Sequence, residues 1–135
     1  MSGDCRTMRY FAFGLLIIVS VFGYQRIISD IYLFEATHYV GKRDWPKALA
    51  SSTGAYRSNP YGKESSHIMG MAAIYTGDTA NGVKRLEEYA RSNPYDLIPL
   101  INLGIVYHLT GRNEEAIQIR NRVLAISPEY AKMIK

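Results

Sequence analysis

The three histidines are the side chains of this sequence best suited to bind a metal or transfer a proton. His38, His67 and His108 are separated by 29 and 41 residues. Histidines that bind zinc on a helix are spaced i, i+4 or are paired with cysteines, and neither pattern occurs here. We expect each histidine to line a binding surface or to pack, and we predict no metal site and no other cofactor.

Paired serines and glutamates are the other candidates for chemistry. Ser51-Ser52 and Ser65-Ser66 lack the flanking glycines of a nucleophile elbow. Glu87-Glu88 and Glu114-Glu115 fall where helix surfaces are predicted, so they are expected to be solvated. The sequence also contains no glycine-rich phosphate loop. It therefore predicts a protein that is not an enzyme.

The charge balance argues against nucleic acid as a partner. The formal net charge is +4, but lysines and arginines are scattered among acids and never form a run of five like charges. The only cysteine, Cys5, excludes an intrachain disulfide. The residues before Cys5 are too short and polar to be the leader of a lipoprotein. Cysteine usage therefore leaves the compartment open.

An apolar segment, 10–28, follows a short tail, 1–9, and differs in composition from the rest of the chain. Its uncharged part is about 15 residues long and reaches about 20 only if Arg26 snorkels. Tyr10 and Tyr24 flank it as interfacial tyrosines do. These features predict a transmembrane helix over 10–28.

The charges beside this segment predict its orientation. Arg6 and Arg9 precede it, and positive charges favour the inner side of a membrane. We expect the following residues on the periplasmic side of a bacterial inner membrane. A cleaved signal peptide ending near Val21-Phe22-Gly23 is an alternative. A buried core helix is a weaker one, because the rest of the chain is too small to surround it.

A 34-residue period organises the remainder. Pro60, Pro94 and Pro128 are 34 residues apart, and the first two lie in Asn-Pro-Tyr triplets. A period of this size indicates stacked supersecondary units. The period divides the chain into units 29–62, 63–96 and 97–130, followed by a tail, 131–135.

The pattern within each unit resembles the tetratricopeptide repeat over about 100 of the 135 residues. Residues 100–128 match best, and Ala116 is expected to face Gly104 across the hairpin. In the second unit Gly82 occupies the usual small-residue position and should weaken its helix by about 1 kcal/mol relative to alanine. In the first unit Arg43 occupies the turn position, so Gly41 is expected to form the turn. The residues that define the repeats are Ala36, Ala48, Pro60, Gly70, Gly77, Pro94, Gly104, Tyr107, Gly111, Ala116 and Pro128.

The resemblance implies an all-α protein, with a transmembrane helix followed by three helical hairpins in a short right-handed solenoid. The first helix of each hairpin would line a concave groove that binds a protein partner. The predicted groove residues, which are largely apolar, are Leu33, Thr37, Val40, His67, Met71, Ile74, Tyr75, Ile98, Ile101, Ile105 and His108. Such a surface suits an amphipathic helix or an aliphatic extended segment. Packing inside the solenoid is an equal alternative for Val40, Ile74 and Ile105.

Some tetratricopeptide domains clamp the terminal carboxylate of a chaperone with basic residues and asparagine. Here the corresponding positions hold Leu33, Thr37, Ile68 and Ile98, and only Asn102 fits. We therefore expect no chaperone clamp. At the other end, Val106, Ile119 and Val123 are expected to lack full cover, because few residues follow Pro128.

Together these observations predict a single-pass membrane scaffold that assembles or stabilises a membrane protein complex. An alternative is the carboxyl-terminal repeat region of a membrane protein similar to O-antigen ligases or polymerases. A further alternative is a secreted, soluble repeat module released by signal cleavage.

Overall fold

The computed structural model describes residues 5–132, with side chains from Tyr10 to Tyr130. Residues 1–4 and 133–135, parts of the two predicted tails, lie outside the described residues. The helices are α1 (Cys5–Gly41), α2 (Trp45–Ser58), α3 (Lys63–Tyr75), α4 (Thr79–Ser92), α5 (Leu97–Leu109) and α6 (Asn113–Ile126), followed by a 3-10 helix (Pro128–Lys132). The expected all-α solenoid of helical hairpins is confirmed.

Helix α1 has two parts with different surroundings. Its large apolar side chains between Tyr10 and Tyr24 are all more than half exposed, whereas the part after Ser29 packs against α2. By length and composition it could cross a membrane. Its exposure contradicts the buried-helix alternative. The first proline of the sequence, Pro46, lies beyond the end of α1. A single uninterrupted helix therefore joins the apolar segment to the first hairpin.

The turns within the hairpins repeat one geometry. Arg43, Gly77 and Gly111 occupy equivalent positions and have φ of +57°, +96° and +78°. The expectation that Gly41 forms the first turn is therefore wrong, since Gly41 is the last residue of α1. Arg43 itself adopts the left-handed conformation, at a cost that glycine avoids.

Aspartates cap the second helix of two hairpins. Asp44 accepts a hydrogen bond from the backbone N–H of Lys47, and Asp78 accepts one from Asn81. The equivalent position in the third hairpin is Arg112, which gives no side-chain cap. Helix α6 begins at the next residue, Asn113.

Small side chains hold the first hairpin together. Ala36, Ala48 and Ala55 are fully buried between α1 and α2. The hydroxyl of Ser29 donates a 3.0 Å hydrogen bond to the carbonyl oxygen of Ala55. These contacts bring the two helix backbones close together and fix their relative height.

The second and third hairpins share a larger apolar core, built from Val83, Leu86, Ala90, Leu100, Leu103, Val106, Tyr107 and Val123. At the crossing of α3 and α4, a Cβ added to Gly82 would lie 2.5 Å from Ile74 Cγ1 and 2.7 Å from the Gly70 carbonyl oxygen. Gly82 is thus required by close packing and is more than a weak point of its helix.

The two helices of the third hairpin, α5 and α6, meet through a different contact. A Cβ added to Gly104 would meet Ile119 Cγ2 at 3.2 Å, and Ile119 supplies the only atoms within 4 Å. Ile119, and not Ala116, therefore faces Gly104. Ala116 is half-buried at the edge of the core.

The carboxyl end of the solenoid is covered by its own chain. The 3-10 helix folds back so that Tyr130 packs against the core, and Ser127 donates a hydrogen bond to Glu129. Val106 and Val123 are buried, and Ile119 is half-buried. The expectation that these residues lack cover is wrong for Val106 and Val123.

Candidate protein-binding groove

The 34-residue period aligns most of the predicted groove residues in three rows across α1, α3 and α5. The rows are Leu33, His67 and Ile101; Thr37, Met71 and Ile105; and Val40, Ile74 and His108. All eleven predicted residues remain outside the buried core. Leu33, Val40, His67, Met71, Ile74 and Ile101 are half-buried, whereas Thr37, Tyr75, Ile98, Ile105 and His108 are exposed.

Packing and exposure divide these residues into two groups. Met71, Ile74 and Ile101 pack against the apolar core, so part of their surface supports the solenoid. Ile98 and Ile105 are more than half exposed on the surface of α5. The prediction omitted Leu109, the repeat equivalent of Tyr75, which is 77% exposed. Leu109 follows Tyr75 by one 34-residue period, so applying the period to Tyr75 could have identified it.

His67 connects two hairpins within the groove. Its Nε2 lies 3.0 Å from Nδ2 of Asn102, so the Asn102 amide donates to an unprotonated imidazole nitrogen. Burial lowers the pKa of His67, against a smaller opposing effect of Asp96. Asn102, the one residue that fits a carboxylate clamp, is therefore engaged with His67. Among the described residues, no three His, Cys, Asp or Glu side chains are grouped as metal ligands would be.

Aromatic stacking joins the first two hairpins at one end of the groove. The rings of Trp45 and Tyr75 are stacked with centroids 4.0 Å apart. Trp45 therefore bridges from the start of α2 to the end of α3. One face of Tyr75 is thus used for packing.

A polar cluster supports the junction of the second and third hairpins. Tyr107 donates a 2.7 Å hydrogen bond to Glu87, and Arg112 contacts both Glu87 and Glu115. The Arg112 guanidinium also lies 4.2 Å from the Tyr107 ring centroid. Burial and the Glu87 carboxylate raise the pKa of Tyr107 to about 12, so the phenol stays protonated and continues to donate.

A second exposed apolar surface, absent from the predictions, lies on the outer face of α1. It contains Ile27, Ile31 and Phe34, and Phe34 is 75% exposed. The repeat equivalents of Ile31 are Ser65 and Pro99, which are buried where a preceding hairpin packs on them. Ile31 is exposed because the described chain has no hairpin before α1. The repeat spacing alone could have shown this asymmetry.

Comparison with solved structures identifies the class of this fold. The sequence matches no protein-family model and no curated protein. The chain is similar to the Arabidopsis OM64 TPR domain, with a TM-score of 0.72 and 13% identity over 78% of this chain and 87% of that one.

MamA is also similar, with a TM-score of 0.72 and 18% identity over 77% of this chain. A second structure, MamA AMB-1, has a TM-score of 0.66 and 20% identity over 74% of this chain. The chain spans 61% and 55% of these two proteins. The likeness shows that this chain has the tetratricopeptide fold, as its sequence pattern implied.

Proposed function

We propose that this protein is a membrane-anchored scaffold whose groove binds a protein partner during assembly or stabilisation of a membrane complex. The continuity of α1 carries the proposal. Its exposed apolar part has the composition of a membrane span, and its packed part is the first helix of a tetratricopeptide solenoid. One rigid element would therefore hold the groove close to the bilayer.

The groove itself favours binding to an apolar segment. Ile98, Ile105 and Leu109 expose aliphatic surface beside the half-buried His67–Asn102 pair. Apolar anchors placed next to a few oriented polar groups are what a docked amphipathic helix needs. The exposed aliphatic side chains would contact the apolar side of the partner. The His67–Asn102 pair would determine the position at which the partner helix docks along the groove.

The test compares two isoleucines of similar exposure in the third hairpin, one in the predicted groove on α5 and one on α6. Ile105, 52% exposed, lies in the groove, and Ile117, 55% exposed, lies on α6 outside it. Tagged full-length Ile105→Asp and Ile117→Asp chains would be purified from membranes in mild detergent, and co-purifying subunits quantified. We expect Ile105→Asp to lose partner subunits that the unaltered chain and Ile117→Asp retain. Equal recovery in both variants would refute the groove.

The mass of the purified chain tests the anchor. Recovery from alkali-washed membranes at 15.3 kDa supports a retained span. A soluble species that begins near Tyr24 would instead support the secreted module. The same repeats found within a much larger membrane polypeptide would favour the alternative similar to O-antigen ligases.

A further inference from the structure

The direction of the helices determines which edge of the solenoid faces the bilayer. Helix α1 runs away from the apolar segment, and α2 returns antiparallel to it. The hydrogen bond from Ser29 to the Ala55 carbonyl places the last turn of α2 level with the start of the first repeat. Helix α2 continues to Ser58, about 4.5 Å nearer the apolar segment at 1.5 Å per residue. The turn that follows therefore lies beside residues 24–28.

Two repeat-related turns occupy this edge. The turn at 59–62 joins α2 to α3, and the turn at 93–96 joins α4 to α5 in the same direction. We call the surface formed by both turns and the adjoining helix ends the proximal edge. The turns at 42–44, 76–78 and 110–112 form the opposite, distal edge.

Exposed tyrosines distinguish the proximal edge. Tyr61 is 93% exposed and Tyr95 is 79% exposed, at equivalent positions of the two Asn-Pro-Tyr triplets. Neither ring contributes to the core. At the distal edge, by contrast, Tyr75 stacks on Trp45 at 4.0 Å. The proximal edge thus presents two almost fully exposed tyrosine rings, whereas Tyr75 at the distal edge is 57% exposed and has one face covered by Trp45.

Basic side chains accompany these tyrosines. Arg57 and Arg91, each four residues before a tyrosine, are exposed, and so is Lys63. Glu64 lies on the same edge, and Glu129, the repeat equivalent of Tyr61 and Tyr95, is also exposed there. Asp96 is also there, but its carboxylate accepts a 2.5 Å hydrogen bond from the Tyr89 hydroxyl. The exposed charge that accompanies the two tyrosines is therefore mainly positive.

Tyrosine and arginine together match the chemistry of a lipid headgroup layer. Tyrosine favours the membrane interface because its ring is apolar and its hydroxyl is polar. Arginine and lysine near the surface are attracted to anionic phosphates. The headgroup layer on each side of a bilayer is about 5 Å or more thick, which matches the level of the proximal edge beside the last residues of the apolar segment.

We propose that the proximal edge is a lipid-binding surface, on which Tyr61 and Tyr95 enter the headgroup layer and Arg57 and Arg91 bind anionic lipid phosphates. The proposal rests on the membrane anchor proposed above. Contact at this edge would hold the solenoid upright on the membrane, because α1 alone fixes only one side of it. The groove would then have a defined orientation relative to membrane partners.

Tryptophan fluorescence of the full chain in vesicles tests this proposal. Trp45 is the only tryptophan and lies at the distal edge, so it is an internal control. Trp45→Phe combined with Tyr61→Trp, or with Tyr95→Trp, moves the probe to the proximal edge. The chains would be reconstituted in phosphatidylcholine alone or in equal parts of phosphatidylcholine and phosphatidylglycerol. Quenching by headgroup spin-labelled lipid would then be measured.

We expect strong quenching of both proximal tryptophans in the anionic vesicles and little quenching of Trp45. Adding Arg57→Gln and Arg91→Gln removes two positive charges, so the equilibrium constant for contact between the proximal edge and the anionic membrane should fall by about tenfold or more. The helical circular dichroism should not change. Both leaflets carry the same lipids, so the orientation of insertion does not affect the result.

Flotation of the same vesicles after alkaline washing separates the two proposals. A chain that floats with the vesicles but shows equal, weak quenching at Tyr61→Trp, Tyr95→Trp and Trp45 would overturn the lipid-binding edge and leave the anchor intact. A chain that does not float would overturn the anchor, and the lipid-binding edge with it.

Discussion

The first hairpin and the two that follow are stabilised in different ways. Between α1 and α2 the buried residues are alanines and serines, and the backbones approach closely. The second and third hairpins instead fill their interface with leucine, valine and tyrosine. The first hairpin should therefore be sensitive to enlargement of side chains, and the others to truncation.

Truncation of Leu86 is expected to have the largest effect. Leu86 is fully buried in the shared core, so Leu86→Ala should lower the free energy of unfolding by about 2–5 kcal/mol through lost burial and a residual cavity. Urea unfolding in mild detergent, followed by circular dichroism, measures it. Leu109→Ala is the control, since Leu109 is exposed and should change stability by about 0.5 kcal/mol or less. Similar losses in both variants would contradict the core assignment.

Enlargement of Ala55 should have the next largest effect. Ala55 is fully buried where α1 and α2 meet, so Ala55→Leu should cost about 1–3 kcal/mol by forcing the helices apart. Ala50→Leu, on the exposed side of the same helix, has a similar helix propensity and should be nearly neutral in the same measurement. If Ala55→Leu leaves the free energy of unfolding unchanged, the close approach of α1 and α2 does not stabilise the first hairpin.

At Gly82 the second hairpin resembles the first, because the two helices approach closely and an enlarged side chain should destabilise them. Propensity alone predicts that Gly82→Ala gains about 1 kcal/mol, but the clash with Ile74 and Gly70 should instead cost about 1–3 kcal/mol. The reverse change at the equivalent position, Ala116→Gly, should cost about 1 kcal/mol from propensity. If Gly82→Ala raises the thermal midpoint, the close crossing of α3 and α4 is wrong.

The turn of the first hairpin offers a smaller, stabilising change. Arg43→Gly should gain about 0.5–1 kcal/mol, because the left-handed cost of arginine exceeds the entropic cost of glycine. Gly41 lies in the helix with open space around its Cα, so Gly41→Ala should also raise the thermal midpoint. A loss of stability in Gly41→Ala would restore Gly41 as the turn residue.

The smallest expected effect is a pH dependence from His67, which is only half-buried. Its folded pKa is lowered by burial, so below the unfolded value of about 6.5 the unfolded chain takes up a proton more readily. Stability should therefore be complete above that pH and decrease as the pH falls below it. His67→Gln should remove this part of the dependence between about pH 7.5 and 5.5. If the difference in the free energy of unfolding between the unaltered chain and His67→Gln is the same at every pH, His67 does not cause a pH dependence.

Much of the architecture could be predicted because its signals are local. The spacing of Pro60, Pro94 and Pro128 defines the hairpins, since each of these prolines lies two residues after the end of a helix that it cannot continue. Apolar residues at helical spacing then indicate which helix surfaces are candidates for the groove. These rules act within a few residues and need no knowledge of contacts across the chain.

The sequence by itself determined the helices, the 34-residue period and the apolar character of the first segment, because each depends on neighbouring residues. Only the tertiary structure decided that Gly82 is required by contact, that Ile119 faces Gly104, and that Tyr75 is partly used by Trp45. It also decided which apolar surfaces of α1 remain open. These features depend on which helices meet and at what distance, and that is set by packing among residues far apart in the chain.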